Sequence, residues 1–176
     1  MKGLSVIVTG SIACGAVRRA LMTERGELER RFPSFFAPVF RLDYAVPETE
    51  AARARELLIR NESEKFGAEC ILNGGAGGMF KTLWDLGEML GSGLSADMNM
   101  IPVRQETIEI CDYLGKNPYE EDSEGMLVIA AGDGFGLHEK LLLDGIPNTL
   151  IGVTTDTKAR TLRYLEHLRY IDNPRP

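Results

Sequence analysis

The sequence has few of the residues that build metal sites, disulfide frameworks or basic surfaces. Its 176 residues include three cysteines and two histidines, and 26 acidic residues outnumber 20 basic ones, which leaves a net charge of −6. A chain without a basic stripe is a poor match for a phosphate backbone, so we predict no nucleic-acid partner. Residues 1–3 lead directly into a predicted strand, and no apolar run approaches about 20 residues, so we predict no signal peptide, no membrane partner and a cytoplasmic location.

The cysteines and histidines do not form a recognisable metal or catalytic pattern. Cys14, Cys70 and Cys111 are odd in number and widely spaced, which indicates neither a disulfide framework nor a zinc site. Apolar surroundings predict Cys70 and Cys111 to be small core residues. Cys14 precedes a predicted helix, where a thiolate can be stabilised, although a buried, inert thiol is the simpler interpretation. We expect His138 and His167 at the surface, and the sequence identifies no metal ligand and no catalytic residue.

The most informative segment is a glycine loop, residues 73–78, which carries four glycines between an apolar strand at 68–72 and a helix that starts near Met79. Glycine lets the backbone approach a ligand closely, and the unpaired amides of the first helical turn then point at that ligand. We therefore predict an anion site, for a phosphate or carboxylate. The residues predicted to form it are Asn73, Gly74, Gly75, Gly77 and Gly78. The alternative is a tight turn that uses glycine for packing alone, since the spacing matches neither GxGxxG nor a Walker A loop.

Hydrophobic periodicity and glycine stops predict alternating strands and helices. The predicted strands are residues 4–9, 68–72, 94–99, 126–131 and 149–153. The predicted helices are residues 14–31, a helix from Pro47 to a stop at Gly67, and then residues 79–90, 104–114 and 137–143. The continuous apolar run at 126–131 predicts a strand covered on both faces, and residues 160–171 fit either a helix or a hairpin. We predict one α+β domain over residues 1–176, with helices packed on a mixed sheet.

The order of segments resembles the C-terminal domain of the aminoimidazole-ribonucleotide (AIR) synthase-related superfamily. Residues 101–119 (IPVRQETIEICDYLGKNPY), 123–134 (SEGMLVIAAGDG) and 145–156 (GIPNTLIGVTTD) carry this resemblance. Residues 6–12 (VIVTGSI), 30–36 (RRFPSFF) and 77–94 (GGMFKTLWDLGEMLGSGL) extend it over nearly the whole chain. The sequence is most similar to AIR-synthase-related proteins and to hydrogenase-maturation carbamoyl dehydratases.

That resemblance implies a three-layer α/β/α domain with a mixed sheet, partly like the ferredoxin arrangement. It also implies a partner, an N-terminal ATP-binding domain outside this chain, which in the family forms the homodimer and supplies acidic residues for ATP and Mg²⁺. The implied role is to complete the ligand site of an enzyme that uses ATP. Such an enzyme activates an amide or carbonyl oxygen of a small-molecule substrate, or transfers a phosphoryl group to it, and this chain alone should be inactive.

The chain departs from the family in two loops. The family usually reads His-Asp-x-Thr-x-Gly-Gly where this chain has residues 72–78, so Asn73 replaces an acid and Gly75 replaces a hydroxyl. In the turn at residues 10–15, where we predict Ser11 and Cys14 to line the opposing side of the site, Gly15 replaces a glutamate. These losses leave open a non-catalytic nucleotide-binding or regulatory domain, or a remnant that binds nothing. A hydrogenase-maturation fragment is a further alternative, which requires a longer chain because that family ends in a cysteine.

Overall fold

The structure is a computed structural model, in which residues 3–33 and 49–173 are described. The strands of this part of the chain are β1 (Ser5–Thr9), β2 (Ala68–Asn73), β3 (Gly93–Asp97), β4 (Leu127–Ala131), β5 (Asn148–Thr155), β6 (Arg160–Tyr164) and β7 (His167–Tyr170). The helices are α1 (Cys14–Thr23), α2 (Arg25–Arg31), α3 (Glu50–Lys65), α4 (Gly78–Leu90), α5 (Gln105–Tyr113) and α6 (Gly134–Leu143), and a 3₁₀ turn covers Met98–Met100.

The strands form one mixed sheet in the order β2-β4-β1-β5-β3-β6-β7. Strand β1 pairs antiparallel with β4 on one side and with β5 on the other, and a register shift between Val6 and Ile7 interrupts the second pairing. The only parallel pair among the described strands is β3 with β6. The predicted mixed sheet is confirmed.

Helices cover both faces of this sheet. Successive side chains of a strand point to opposite faces, so Val6 and Val8 pack in one core cluster with Leu83 of α4. Ile7 packs in the other cluster with Ile59 of α3 and with residues of α6. Each fully buried aliphatic side chain contributes about 1.5–3 kcal/mol. Every residue of β4 is buried, as the apolar run at 126–131 predicts. The result is the α/β/α arrangement expected from the sequence.

A third, smaller hydrophobic cluster is separate from these two. It joins α1, α2 and α5 through Val17, Ala20, Leu28 and Ile110. The prediction of one helix over residues 14–31 is wrong, because Glu24 leaves the helical conformation with φ of −124° and divides the segment into α1 and α2. The break places Leu28, which is fully buried, in this cluster.

The structure also ends one predicted strand early, begins α6 at Gly134, lengthens β5 to Asn148–Thr155, and decides the segment that the sequence left open. The strand predicted at 94–99 ends at Asp97, because the Asp97 carboxylate accepts a hydrogen bond from the amide of Asn99 (2.9 Å) and turns the chain into the 3₁₀ segment. Residues 160–171 form a hairpin, in which β6 and β7 pair antiparallel. The helix stop at Gly67 is confirmed, with φ of +71°. The predicted helix start at Pro47 lies outside the described residues. Within them, α3 begins at Glu50 with Thr49 as its N-cap.

Candidate functional site

The glycine loop connects β2 to α4 and is held by the chain just before β4. The amide of Gly74 donates to the carbonyl oxygen of Met126 (2.8 Å). The carbonyl oxygen of Gly75 accepts two bonds, from the amide of Gly78 (2.9 Å) and from the amide of Ser123 (3.2 Å). The loop is therefore fixed both by its own turn and by a segment distant in sequence.

Two of the loop glycines allow close packing against that segment. A Cβ atom on Gly74 would lie 2.6 Å from the carbonyl oxygen of Ser123, and one on Gly78 would lie 2.6 Å from the carbonyl oxygens of Tyr119 and Glu121. The amide of Phe80, in the first turn of α4, donates to the carbonyl oxygen of Tyr119 (3.2 Å). The amides of Gly78 and Phe80 are thus used inside the protein, and packing explains Gly74 and Gly78.

The tip of the glycine loop is different. Gly75 is half-buried, whereas Ala76 and Gly77 are exposed. Within the described part of the chain, the amides of these three residues have no hydrogen-bond acceptor. A Cβ atom on Gly75 would meet nothing within 4 Å. Consecutive backbone amides without acceptors can bind an anion where they converge. The amides available to a ligand are therefore at the tip of the loop.

The side chain of Asn73 is held by α3. Its amide nitrogen donates to Glu56 Oε1 (3.1 Å), and the guanidinium of Arg60 donates to its amide oxygen. Arg60 also binds Glu56 directly (2.8 Å). The hydrogen bond from Asn73, followed by the one from Arg60, lowers the pKa of the Glu56 carboxyl below its ordinary value. Asn73 lies beside the predicted anion site, with its amide group committed to this network.

The turn at residues 10–15, here called the first loop, directs its polar side chains to backbone oxygens. The Ser11 hydroxyl donates to the carbonyl oxygen of Pro102 (3.2 Å). The Cys14 sulfur donates to the carbonyl oxygen of Ser11 (3.3 Å) and more weakly to that of Ile12 (3.8 Å). Ser11 and Cys14 are both half-buried. Both side chains are thus used in hydrogen bonds to backbone carbonyl oxygens.

Residues 119–126, here called the bridge segment, bring the two loops together. Ser123 lies at its centre and is fully buried. Its hydroxyl accepts a hydrogen bond from the amide of Ala13 in the first loop (2.9 Å) and donates to the carbonyl oxygen of Glu121 (3.0 Å), while its amide binds Gly75. Sequence reasoning missed this residue. The only local signal is a serine placed between an acidic stretch and a buried strand, and it does not reveal that the serine is buried.

Carboxylates of other elements lie beside both loops. A Cβ atom on Gly15 would lie 2.7–3.0 Å from the carboxylate of Asp122, which pairs with Arg19. Glu56 takes the corresponding place beside Asn73. Gly15 and Asn73, the two positions that replace acids of the family pattern, thus each lie against a carboxylate from another part of the chain. Because arginines neutralise both carboxylates, these acids add little net negative charge at the loops.

The structure gives no sign of a metal centre in residues 3–33 and 49–173, where no three His, Cys, Asp or Glu side chains are grouped to hold an ion. Cys70 and Cys111 are buried as predicted, and burial raises the pKa of the Cys111 thiol to about 11. His167 is exposed, as predicted, and His138 is half-buried, with its Nδ1 in contact with the Asn148 amide oxygen (2.8 Å). None of the described helices is long and apolar enough to cross a membrane.

Comparisons with known proteins identify solved structures of similar fold. No protein-family model matches the chain, and no curated protein matches it. Among solved structures, HypE from E. coli matches with a TM-score of 0.72 and 18% identity, over 100% of this chain and 51% of that one. The hydrogenase maturation protein HypE in complex with ATP matches with a TM-score of 0.71 and 16% identity, over 98% and 51%. AaThiL complexed with AMPPCP and TMP matches with a TM-score of 0.61 and 15% identity, over 97% and 51%.

These matches confirm the fold that the sequence resemblance implies. HypE and ThiL are members of the AIR synthase-related, PurM-like superfamily, and this chain has the fold of one part of them. The chain spans about half the length of these three structures.

Proposed function

We propose that this chain is the C-terminal, ligand-site-completing domain of an ATP-dependent, AIR-synthase-like enzyme. The observation that carries the proposal is the shared fold, which covers 98% of this chain and 51% of a HypE chain that was crystallised with ATP. AaThiL, of similar fold, is known in complex with AMPPCP and TMP. In this proposal the other half is an ATP-binding domain outside the chain, the substrate is a small molecule, the whole protein is a homodimer, and its location is the cytoplasm.

The contribution of this chain is a backbone anion site at the tip of the glycine loop. The amides of Gly75, Ala76 and Gly77 bind a phosphate or carboxylate group of the ligand. Lys81 follows the loop, but its ammonium pairs with Asp85 (2.5 Å), so the loop amides are the main donors. Phosphoryl transfer depends on positioning and charge stabilisation more than on a covalent nucleophile, and a rigid loop that holds the transferred or accepting group supplies positioning.

The metal that ATP chemistry requires is not held by the described residues, which contain no suitable cluster of ligands. In the proposal Mg²⁺ and the triphosphate are bound by the other half. The isolated chain is therefore expected to bind phosphate groups weakly and to leave ATP intact.

A second candidate is a non-catalytic nucleotide-binding or small-molecule-binding domain. It is favoured by the fact that the polar side chains near the loops are already used: Asn73 by α3, and Ser11 and Cys14 by backbone oxygens. None of the three is free to act as a general base in this arrangement. A fragment of a hydrogenase-maturation protein is a narrower version of the first candidate, supported by the matches to HypE.

A calorimetric titration with inorganic phosphate tests the site. Gly75→Val places a branched side chain at the tip, where a Cβ meets nothing within 4 Å, so binding should fall while the fold persists. Gly26→Val, also with nothing within 4 Å and distant on α2, is the matched control and should bind like the wild type. Equal affinity in all three proteins, or no binding to the wild type, would contradict the proposed site.

A longer protein separates the two candidates. If the coding sequence upstream of Met1 encodes an ATP-binding half, the protein that includes it should hydrolyse ATP in the presence of Mg²⁺. Tight nucleotide binding by that protein without turnover would favour the non-catalytic candidate.

A further inference from the structure

Ser123 links two loops that are distant in sequence. We propose that Ser123 is a positioning residue that fixes the first loop and the glycine loop as one unit, so that the loop amides are preorganised for a phosphate group, a role that rests on the proposed function. Ser123 does not itself contact the ligand in this arrangement. It acts through the backbone of Ala13 on one side and of Gly75 on the other.

Three hydrogen bonds of one residue carry this inference. The Ser123 hydroxyl accepts from the Ala13 amide (2.9 Å) and donates to the Glu121 carbonyl oxygen (3.0 Å), and the Ser123 amide donates to the Gly75 carbonyl oxygen (3.2 Å). Ser123 and Ala13 are both fully buried, so water cannot replace the hydroxyl at the Ala13 amide. A buried amide without an acceptor costs far more than an exposed one, which makes this link specific to a hydroxyl side chain.

The neighbours of Ser123 hold the same two loops. The carbonyl oxygen of Asp122 accepts from the amide of Ala16 at the start of α1 (3.2 Å), and that of Met126 accepts from the amide of Gly74 (2.8 Å). The bridge segment therefore binds the start of α1 just before Ser123 and the glycine loop just after it. Ala13 has a left-handed backbone, with φ of +58°, which a non-glycine residue keeps only where its surroundings hold it in place.

The Gly75 carbonyl oxygen connects Ser123 to the ligand-binding groups. It accepts from the Ser123 amide and from the Gly78 amide, and so it sets the orientation of the peptide that joins Gly75 to Ala76. The amide of that peptide belongs to Ala76, one of the three that have no acceptor in the described part of the chain. A shift of the bridge segment would therefore turn a donor away from a bound phosphate.

Hydrogen exchange and phosphate titration of Ser123→Ala test this role. The variant keeps the shape of the residue and removes the acceptor of Ala13. We expect faster exchange at Ala13 and, through the bridge segment, at Gly74 and Gly78, together with phosphate affinity lower by up to about tenfold, the limit reached when the free energy of the lost hydrogen bond is transmitted in full to the loop amides. Ser63→Ala is the matched control, because Ser63 is also fully buried and bonds only within α3, to Ile59 (2.6 Å).

Each outcome has a definite meaning. Faster exchange at Ala13 alone, with phosphate affinity unchanged, would overturn the inference, since the hydroxyl would then serve the first loop only. Faster exchange at Gly74 and Gly78 in a protein that binds no phosphate even as wild type would support the positioning role and contradict the proposed function. If Ser123→Ala does not fold, Ser123→Cys keeps a side chain of similar size with a weak hydrogen-bonding thiol and should give the same two changes.

Discussion

Replacing Gly78 with alanine tests how tightly the bridge segment packs on the glycine loop. Gly78 has φ of +64°, and a Cβ atom there would lie 2.6 Å from the carbonyl oxygens of Tyr119 and Glu121. Gly145 has a similar φ of +73°, follows α6, and would place its Cβ with nothing within 4 Å. Gly145→Ala is therefore a control that shares the backbone strain and lacks the collision.

The two variants separate two energies. A left-handed conformation costs a non-glycine residue about 1 kcal/mol in both variants. Overpacking against two backbone oxygens, which cannot rotate away as a side chain does, adds about 1–3 kcal/mol in Gly78→Ala alone. For a chain of this length each kcal/mol lowers Tm by about 2–4 °C. Gly145→Ala should thus lose about 2–4 °C and Gly78→Ala about 4–16 °C.

Thermal unfolding followed by circular dichroism measures both losses, and urea unfolding checks that the m-value is unchanged, so that stability alone has changed. Equal losses of Tm in the two variants would refute the reasoning, because the bridge segment would then exert no packing constraint on the loop. The same result would remove the structural basis for assigning Gly78 to packing and Gly75–Gly77 to ligand binding.

Three other predictions follow from the site and from the surface. The 176-residue chain alone should not hydrolyse ATP, since the proposed function assigns ATP and Mg²⁺ to a domain outside it; magnesium-dependent ATP turnover by the purified chain and by control variants substituted elsewhere would contradict this. Asn73→Asp should raise the pKa of Glu56, because it replaces a hydrogen-bond donor with a like charge, and NMR titration of Glu56 measures this. The same negative charge should weaken phosphate binding in the absence of metal, which calorimetry measures. The chain should form dimers or weak oligomers, because exposed apolar side chains favour association. The sequence basis for this prediction is the segment with Phe32, Phe35, Phe36 and Phe40; the last three lie outside the described residues, and Phe32 is half-buried against Tyr113. In the described part of the chain, Tyr164, Leu165, Leu168 and Tyr170 of the β6–β7 hairpin are at least half exposed. A strict monomer at high concentration in light scattering would count against the prediction.

Local sequence determined most of the elements of this fold. The apolar run at β4 predicts a strand buried on both faces, because no polar side chain in it could face water, and the structure buries all five residues. Gly67 and Gly91 end α3 and α4, since each can take the left-handed conformation that closes a helix. The glycine loop was located for the same reason: glycines between a strand and a helix are a local signal. Periodicity and glycine act over a few residues, which is why a single sequence reveals them.

Only the tertiary structure decided which polar groups of the site are used and which are open. Ser11 and Ser123 are both loop serines in the sequence, yet Ser123 is the one buried at the junction of the two loops, because it meets Ala13 across a separation of 110 residues. The pattern of residues 160–171 also left helix and hairpin open. The parallel pairing of β6 with β3 makes β6 a strand. The amide of Gly78, which the sequence predicts to donate to a ligand, donates to the carbonyl oxygen of Gly75. Such outcomes depend on long-range contacts, and a hydrogen bond between distant segments leaves no periodic trace in the sequence.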